Sequence, residues 1–237
     1  MSSPKKTGVL YLVPTPLGAG ALASIPEVNR SIIVSTMHFI VESQKLGRRH
    51  ILSMAPGKDL GDCQIEVYDK DSSPMDHLNL LDPVREGHDI CLLSDAGSPT
   101  VADPGSPVVR LAHRQGISVK PLSGPSSIIL ALSASGLNGQ QFTFHGYLSP
   151  RKKELQRQLR DLERSARNGP TQIFMETPYR NGAILEGVLK LKPDTLFCIA
   201  ANLTTSNEYV QTRIIQGWLE KGFPDLQKVP SIFLLGY

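Results

Sequence analysis

Short apolar runs alternate along the first half of the chain with longer stretches of mixed character. Gly8–Val13 (GVLYLV), Met37–Val41, Gln64–Tyr68, His88–Leu93 and Ile117–Pro121 predict strands. Pro26–Thr36, Pro74–Glu86 and Pro104–Gln115 predict the helices between them, each opening on a proline, which suits a first helical turn. Strands that alternate with helices predict a parallel sheet with crossover connections.

Two prolines and a glycine in Pro121–Pro125 (PLSGP) punctuate the chain and read as a linker or sharp turn. A helix of small residues over Ser126–Ser135 follows, then a strand at Phe142–His145 and a charged helix over Arg151–Asn168. Ile173–Glu176 and Thr195–Ala201 predict short strands around a helix over Tyr179–Leu191, and strands at Tyr209–Ile215 and Ser231–Leu235 finish the chain. Short connections between the last strands favour a mixed or antiparallel sheet. The expected fold class is therefore α/β: a parallel-sheet N-terminal domain over residues 1–122 and a mixed-sheet C-terminal domain over residues 123–237.

Composition narrows the class. With 237 residues, 40% hydrophobic and 20% charged, the chain is neither disordered nor collagen-like, and it is long enough to bury a core. No stretch approaches about 18 uninterrupted apolar residues, so no transmembrane helix is expected. Lys5 and Lys6 ahead of Val9–Val13, with Ala21-Leu22-Ala23 beyond, imitate a signal peptide, but Pro14 and Pro16 cut the apolar segment short. A cytoplasmic protein is expected, with Asn202-Leu203-Thr204 a chance glycosylation sequon. Cys63, Cys91 and Cys198 form no CxxC pair; Cys91 and Cys198 sit in apolar runs and read as buried reduced thiols.

Four segments carry candidate chemistry. Leu93–Gly105 (LSDAGSPTVADPG) leaves a predicted strand with two glycines, two prolines and two aspartates, long for a plain connector. The carboxyl ends of parallel strands are where open α/β sheets bind ligands. Tyr11–Gly20 (YLVPTPLGAG) is a stiff loop after another strand. It is not GxGxxG, and GxxxxGK[ST] is absent, which disfavours a nicotinamide enzyme or a P-loop nucleotidase. Ser123–Ser127 (SGPSS) opens a helix, where hydroxyls and backbone N–H groups suit either capping or a polar ligand. Phe174–Arg180 (FMETPYR) ends a strand on an acid. His38 and Glu42 lack any HExxH context, so no metal site is expected.

Taken together, these segments resemble the class III S-adenosylmethionine-dependent methyltransferases, the tetrapyrrole methylase superfamily. The branch most similar is that of the bacterial small-subunit ribosomal RNA cytidine 2′-O-ribose methyltransferases. The matching stretches are LYLVPTPLGA (10–19), SDAGSPTVADPG (94–105), PLSGPSS (121–127), FTFHGYLSP (142–150) and FMETPYR (174–180), in the family's order. The resemblance spans roughly residues 8–206. It implies S-adenosyl-L-methionine as the methyl donor, folded into a cleft between two domains, a homodimer, ribosomal RNA or the small ribosomal subunit as partner, and no metal or membrane. It further implies that Pro16 lines the donor pocket. Asp95, Ala96, Gly97 and Ser98 would form the loop holding its amino-acid end, with Val101 packed behind. Ser126 and Ser127 would start the linker helix, and Glu176 and Leu203 would wall the adenine side.

The sequence also departs from this pattern. The family's GN is Gly18-Ala19 here, its EDTR is Glu42-Ser43-Gln44-Lys45, and its ARELTK is Ala200–Thr205 (AANLTT), where charged side chains are lost. Near the C-terminus, Val229-Pro230-Ser231-Ile232 replaces the family's GE-MVL. The donor pocket survives these changes on paper; the substrate is put in question. A tetrapyrrole or other small molecule is the alternative acceptor, and a non-catalytic donor-binding protein a third reading. A hydroxyl acceptor profits from a base. Glu42, Asp103 and Glu176 are the candidates; His145 is another titratable group, and Asp95 reads rather as a pin for its own loop. Residues 151–167 hold seven basic and three acidic side chains, net +4. That helix face is either a solvated surface or a strip for RNA phosphate.

Overall fold

The computed structural model describes residues 7–69, 71–72 and 79–237. Lys5, Lys6 and the expected helix start at Pro74 lie outside those residues. The chain divides into two compact units, Met1–Ser126 and Ser127–Tyr237.

The first unit is a five-stranded parallel sheet in the order β3-β2-β4-β1-β5. Its strands are β1 (Val9–Val13), β2 (His38–Val41), β3 (Gln64–Val67), β4 (Ile90–Leu93) and β5 (Ser118–Pro121). Four helices cross over between them: α1 (Glu27–Ser35), α2 (Gln44–Met54), α3 (Asp82–Glu86) and α4 (Ser106–Arg114). Alternate strand residues serve opposite faces, as the pleat requires. Val13, Phe39, Val41, Cys91 and Leu93 pack with Ile33 of α1 and with Ile51 and Met54 of α2. Leu10, Ile40, Ile90 and Leu92 pack with Val84 of α3 and with Val108 and Ala112 of α4. The sheet is thus covered by helices on both faces, and its central strand β4 is buried at every position.

The second unit carries a mixed sheet in the order β6-β7-β10-β8-β9. Its strands are β6 (Phe142–Tyr147), β7 (Thr171–Glu176), β8 (Leu196–Ala201), β9 (Tyr209–Ile214) and β10 (Ser231–Gly236). Only β6 and β7 pair in parallel; the other neighbours are antiparallel. Helices α6 (Lys152–Ala166), α7 (Asn181–Val188) and α8 (Ile215–Lys221) share one core with Phe174, Phe197 and Phe233. The Phe197 and Phe233 rings stack 5.8 Å apart, and Trp218 Nε1 donates to the Phe197 carbonyl at 2.9 Å. Helix α5 (Ser127–Ser135) packs on β8, β9 and β10.

Three sequence expectations need correction. Helix α2 was not foreseen. Its buried face is Gly47, His50, Ile51 and Met54, so two of four inward positions are not hydrophobic and the periodicity is masked. Helix α3 is only five residues long, with Asn79–Leu81 forming a turn rather than helix. Helix α8 begins where a strand was expected to end, and its inward side rests on Ile215 and Trp218 alone. The thiols behave as expected: Cys91 and Cys198 are buried and free, and burial pushes them up to about 12 and about 11.

At Gly47, α2 lies close against Val41 of β2. A Cβ there would stand 2.5 Å from Val41 Cγ1 and 2.7 Å from its Cβ. Gly47→Ala should therefore destabilise by about 1–3 kcal/mol despite the better helix propensity of alanine. Urea unfolding measures this, and adding Val41→Ala should recover part of the loss by making room.

Candidate functional site at the carboxyl edge of the parallel sheet

Strands β1 and β4 are hydrogen-bonded neighbours whose outgoing connections diverge. The chain leaving β1 runs to α1 on one face, and the chain leaving β4 runs to α4 on the other. Diverging connections from adjacent parallel strands open a crevice at their carboxyl ends, the usual ligand site of such sheets. Three of the motifs meet there. Thr15 N–H donates to the Gly97 carbonyl at 2.9 Å, and Gly97 N–H donates back to the Thr15 carbonyl at 3.1 Å. The buried Thr15 hydroxyl also donates to the Ser94 carbonyl at 3.2 Å. The third motif closes against both: Leu122 N–H donates to the Leu12 carbonyl at 3.0 Å, and Ser98 Oγ to the Pro125 carbonyl at 3.5 Å. A Cβ on Gly124 would lie 2.4 Å from Pro14 Cβ, so only glycine permits this approach.

The loop after β4 is held in a costly backbone conformation. Gly97 has φ +77° and Gly105 +109°, but Thr100 and Ala102 also take φ +69° and +62°. Left-handed backbone at non-glycine residues costs about 1–3 kcal/mol each and clusters at functional sites.

Three carboxylates gather at this edge. The Glu42 carboxylate accepts the Asp95 N–H, and the Asp95 carboxylate accepts the Ser43 N–H, a reciprocal clamp between the ends of β2 and β4. Asp95 therefore pins the start of α2 rather than its own loop. Burial raises both carboxyls above their ordinary values, and Glu42 is raised further by the Asp95 charge. Burial, then the charges of Glu42 and Asp95, push Asp103 up to about 7. His50 donates from Nε2 to the Asp95 carbonyl at 2.9 Å, and burial lowers its pKa, so it stays neutral near pH 7. The Glu42 Oε2 atom is buried without a hydrogen-bond partner.

The remaining expected residues divide between the units. Pro16 is buried beneath the same edge, and Ala96 is exposed at the loop tip. Val101 is 46% exposed on the same loop. Ser126 and Ser127 are half-buried, and α5 begins at Ser127. In the second unit, Glu176 ends β7 and Leu203 lies two residues beyond β8. Their strands are joined through Ser231 of β10, which faces Glu176 on one side and Ala201 on the other. The Glu176 side chain has no exposed surface. It accepts Thr177 N–H at 2.7 Å and pairs with Arg180 at 2.9 Å, and Arg180 also donates to the Ser149 carbonyl at 3.0 Å. His145 is engaged with Gln172 across β6 and β7 at 2.8 Å. Sequence reasoning missed His50 and Thr15, both of which act on the loop backbone from outside the expected set.

The sequence profile of the tetrapyrrole (corrin/porphyrin) methylases matches residues 10–215. The chain belongs to this family. The family is one of S-adenosylmethionine-dependent methyltransferases, which makes the chain a methyltransferase. It is 31% identical over 209 residues to the ribosomal RNA small subunit methyltransferase I of Vibrio cholerae, covering 88% of this chain and 69% of that protein. The protein of the same name from Micromonospora olivasterospora is 34% identical, over 85% of this chain and 61% of that one. That from Escherichia coli O157:H7 is 30% identical, over 86% and 68%. Among solved structures, the methyltransferase CobJ superposes with a TM-score of 0.64 at 16% identity, covering 97% of this chain and 94% of that one. The uroporphyrin-III-C-methyltransferase of Thermus thermophilus gives 0.54 at 18%, over 97% and 92%. Both share the fold.

Asp103 makes stability depend on pH. An ordinary aspartate ionises near 3.8, so the unfolded chain loses this proton well before the folded one does at about 7. The neutral form favours folding below pH 4, and that contribution fades as pH rises to 7. Asp103→Asn should therefore stabilise the protein at pH 8, on the order of 1–2 kcal/mol once solvent screening of a half-buried group is allowed for, and give no such gain at pH 4. Urea unfolding at both pH values checks this.

Proposed function

We propose that the protein transfers the methyl group of S-adenosylmethionine to a ribose 2′-hydroxyl of small-subunit ribosomal RNA. The observation that carries the donor half is the edge of the parallel sheet, where three motifs lock together around three partly desolvated carboxylates and one unpartnered buried oxygen. S-adenosylmethionine bears a sulfonium and an ammonium, and clustered carboxylates with raised pKa values suit a cationic ligand that relieves their repulsion. The acceptor half rests on the relatives named as ribosomal RNA methyltransferases.

The donor brings a methyl group already activated on sulfur. The chain's own work is then alignment and exclusion of water. The backbone of Ala96–Ser98 would hold the amino-acid end, with Pro16 lining the same pocket; Ser126, Ser127, Glu176 and Leu203 are assigned to the donor by the family resemblance alone. Among the candidate bases, Asp103 has the pKa suited to taking a hydroxyl proton at neutral pH. Glu176 is committed to Thr177 and Arg180 and serves as a strut. The reading includes a cytoplasmic homodimer, which the family resemblance supports; sedimentation should give about twice 25.9 kDa.

Gly97→Ala tests the donor site. The added Cβ would meet Leu17 Cδ2 at 3.0 Å and would hold a φ of +77° that alanine resists. Calorimetry should show at least a tenfold loss of donor affinity, with a smaller fall in unfolding midpoint. Undiminished affinity would place the donor elsewhere. Incubation of the wild-type protein with labelled donor and unmethylated small subunits, followed by nuclease digestion and mass spectrometry, should give a 2′-O-methylated nucleoside. Label found on a base, or label accepted by a tetrapyrrole and not by RNA, would reject the acceptor reading.

A further inference from the structure

Helix α6 buries Leu155, Leu159, Leu162 and Ala166 in the core of the second unit and turns a cationic face outward. Lys153, Arg157, Arg160 and Arg164 are exposed and follow one another at intervals of four, three and four residues, so they form one stripe. At 1.5 Å rise per residue the stripe runs roughly 16 Å.

The acids of this helix neutralise the stripe only at Arg164. Glu163 is only 8% exposed and accepts from Lys192 N–H at 2.7 Å and Thr195 Oγ1 at 2.6 Å, so it faces inward. Glu154 is taken by Ser149 Oγ at 2.7 Å and Arg151 at 3.0 Å. Asp161 pairs with Arg164 at 3.2 Å. Among the described residues, Lys153, Arg157 and Arg160 make no ion pair. The Arg157 charge lies near Glu154, which is already engaged. Lys153, Arg157, Arg160 and Arg164 are like-charge neighbours at three and four residues, each such pair costing about 0.2–0.5 kcal/mol, and Glu154 and Asp161 offset them only in part. The helix is held by its apolar side while its outer side repels itself.

We propose that this face docks the phosphate backbone of the RNA substrate. The inference deepens the ribosomal RNA reading and rests on it. Three unpaired cations in a row fit a polyanion of regular spacing. Glu154, Gln156 and Asp161 border the stripe and no aromatic does, so the contact positions RNA by its backbone and reads no bases.

The test is the double variant Arg157→Glu/Arg160→Glu beside Arg157→Gln/Arg160→Gln. Filter binding of small ribosomal subunits is followed over a salt series, and donor affinity and thermal unfolding are measured on the same proteins. Binding should fall at least tenfold, more for Glu than for Gln. In the Gln variant the log–log salt slope should be shallower by about 1.4, two contacts at roughly 0.7 each. Donor affinity should be unchanged. The unfolding midpoint should hold or rise, because like-charge neighbours are removed, and this separates lost binding from lost fold. Variants that bind and methylate subunits like the wild type, with the same slope, overturn the docking surface while leaving the methyltransferase reading intact. Wild-type protein that binds donor but neither binds nor methylates subunits overturns both. Loss of binding to anionic lipid vesicles, with RNA binding unchanged, overturns the RNA assignment of this face.

Discussion

The site depends on one pair of backbone hydrogen bonds, the exchange between Thr15 and Gly97. It lies where two adjacent parallel strands send their chains to opposite faces of the sheet. Left alone, such loops would splay apart, since nothing in the strand ladder continues past Val13 and Leu93. The exchange extends the pairing of β1 and β4 by one antiparallel step and fixes the crevice floor. The Thr15 hydroxyl and Ser94 Oγ, which donates to the Gly97 carbonyl at 3.1 Å, brace it. Because Gly97 sits at φ +77°, the bridge also sets the direction in which Ala96 and Ser98 leave it. Strain at Thr100 and Ala102 is tolerated because this anchor, and α4 beyond it, determine both ends of the loop.

The carboxylates follow from that geometry. Glu42 and Asp95 are at strand ends that the sheet brings side by side, and each accepts the other strand's backbone N–H. The clamp uses negative charge where a neutral group would hold the backbone with less repulsion. Asp103 adds a third acid and accepts a strongly raised pKa. Concentrating three acids there costs stability, and under the proposed function they complement the cationic donor.

The fold was legible wherever one kind of residue dominated a face. The buried strand β4 and the α4 and α6 helices announce themselves through unbroken or periodic apolar positions. Helix α2 did not, because Gly47 is needed for close approach to Val41 and His50 for its bond to the Asp95 carbonyl, so function and packing replaced the hydrophobic signal. The candidate site was legible as motifs but not as interactions. The sequence shows an acid at position 95 without showing that its carboxylate reaches Ser43, and it shows Glu176 without showing that Arg180 engages it. Pairings between residues tens of positions apart depend on sheet order, which local pattern does not contain.

The segment Ala200–Thr205, where family charges are missing, shows why their loss need not disturb the second unit. Asn202 takes φ +49°, a conformation asparagine tolerates, and its N–H donates to the Pro230 carbonyl at 3.1 Å. Thr205 N–H and Oγ1 both donate to the Asn202 carbonyl, and Thr204 N–H donates to Glu208 at 2.7 Å. The turn is therefore built from backbone groups, one carboxylate and short polar side chains. Asn202 and Thr205 stand in this turn at two of the positions where the family carries charge, while the third, Ala201, is buried at the end of β8. Replacement of the charged residues removes positive charge from this end of the sheet without removing structure, and the unpaired positive charge of this unit is instead concentrated along α6. Under the proposed docking, substrate attraction and the shape of this turn are carried by different elements.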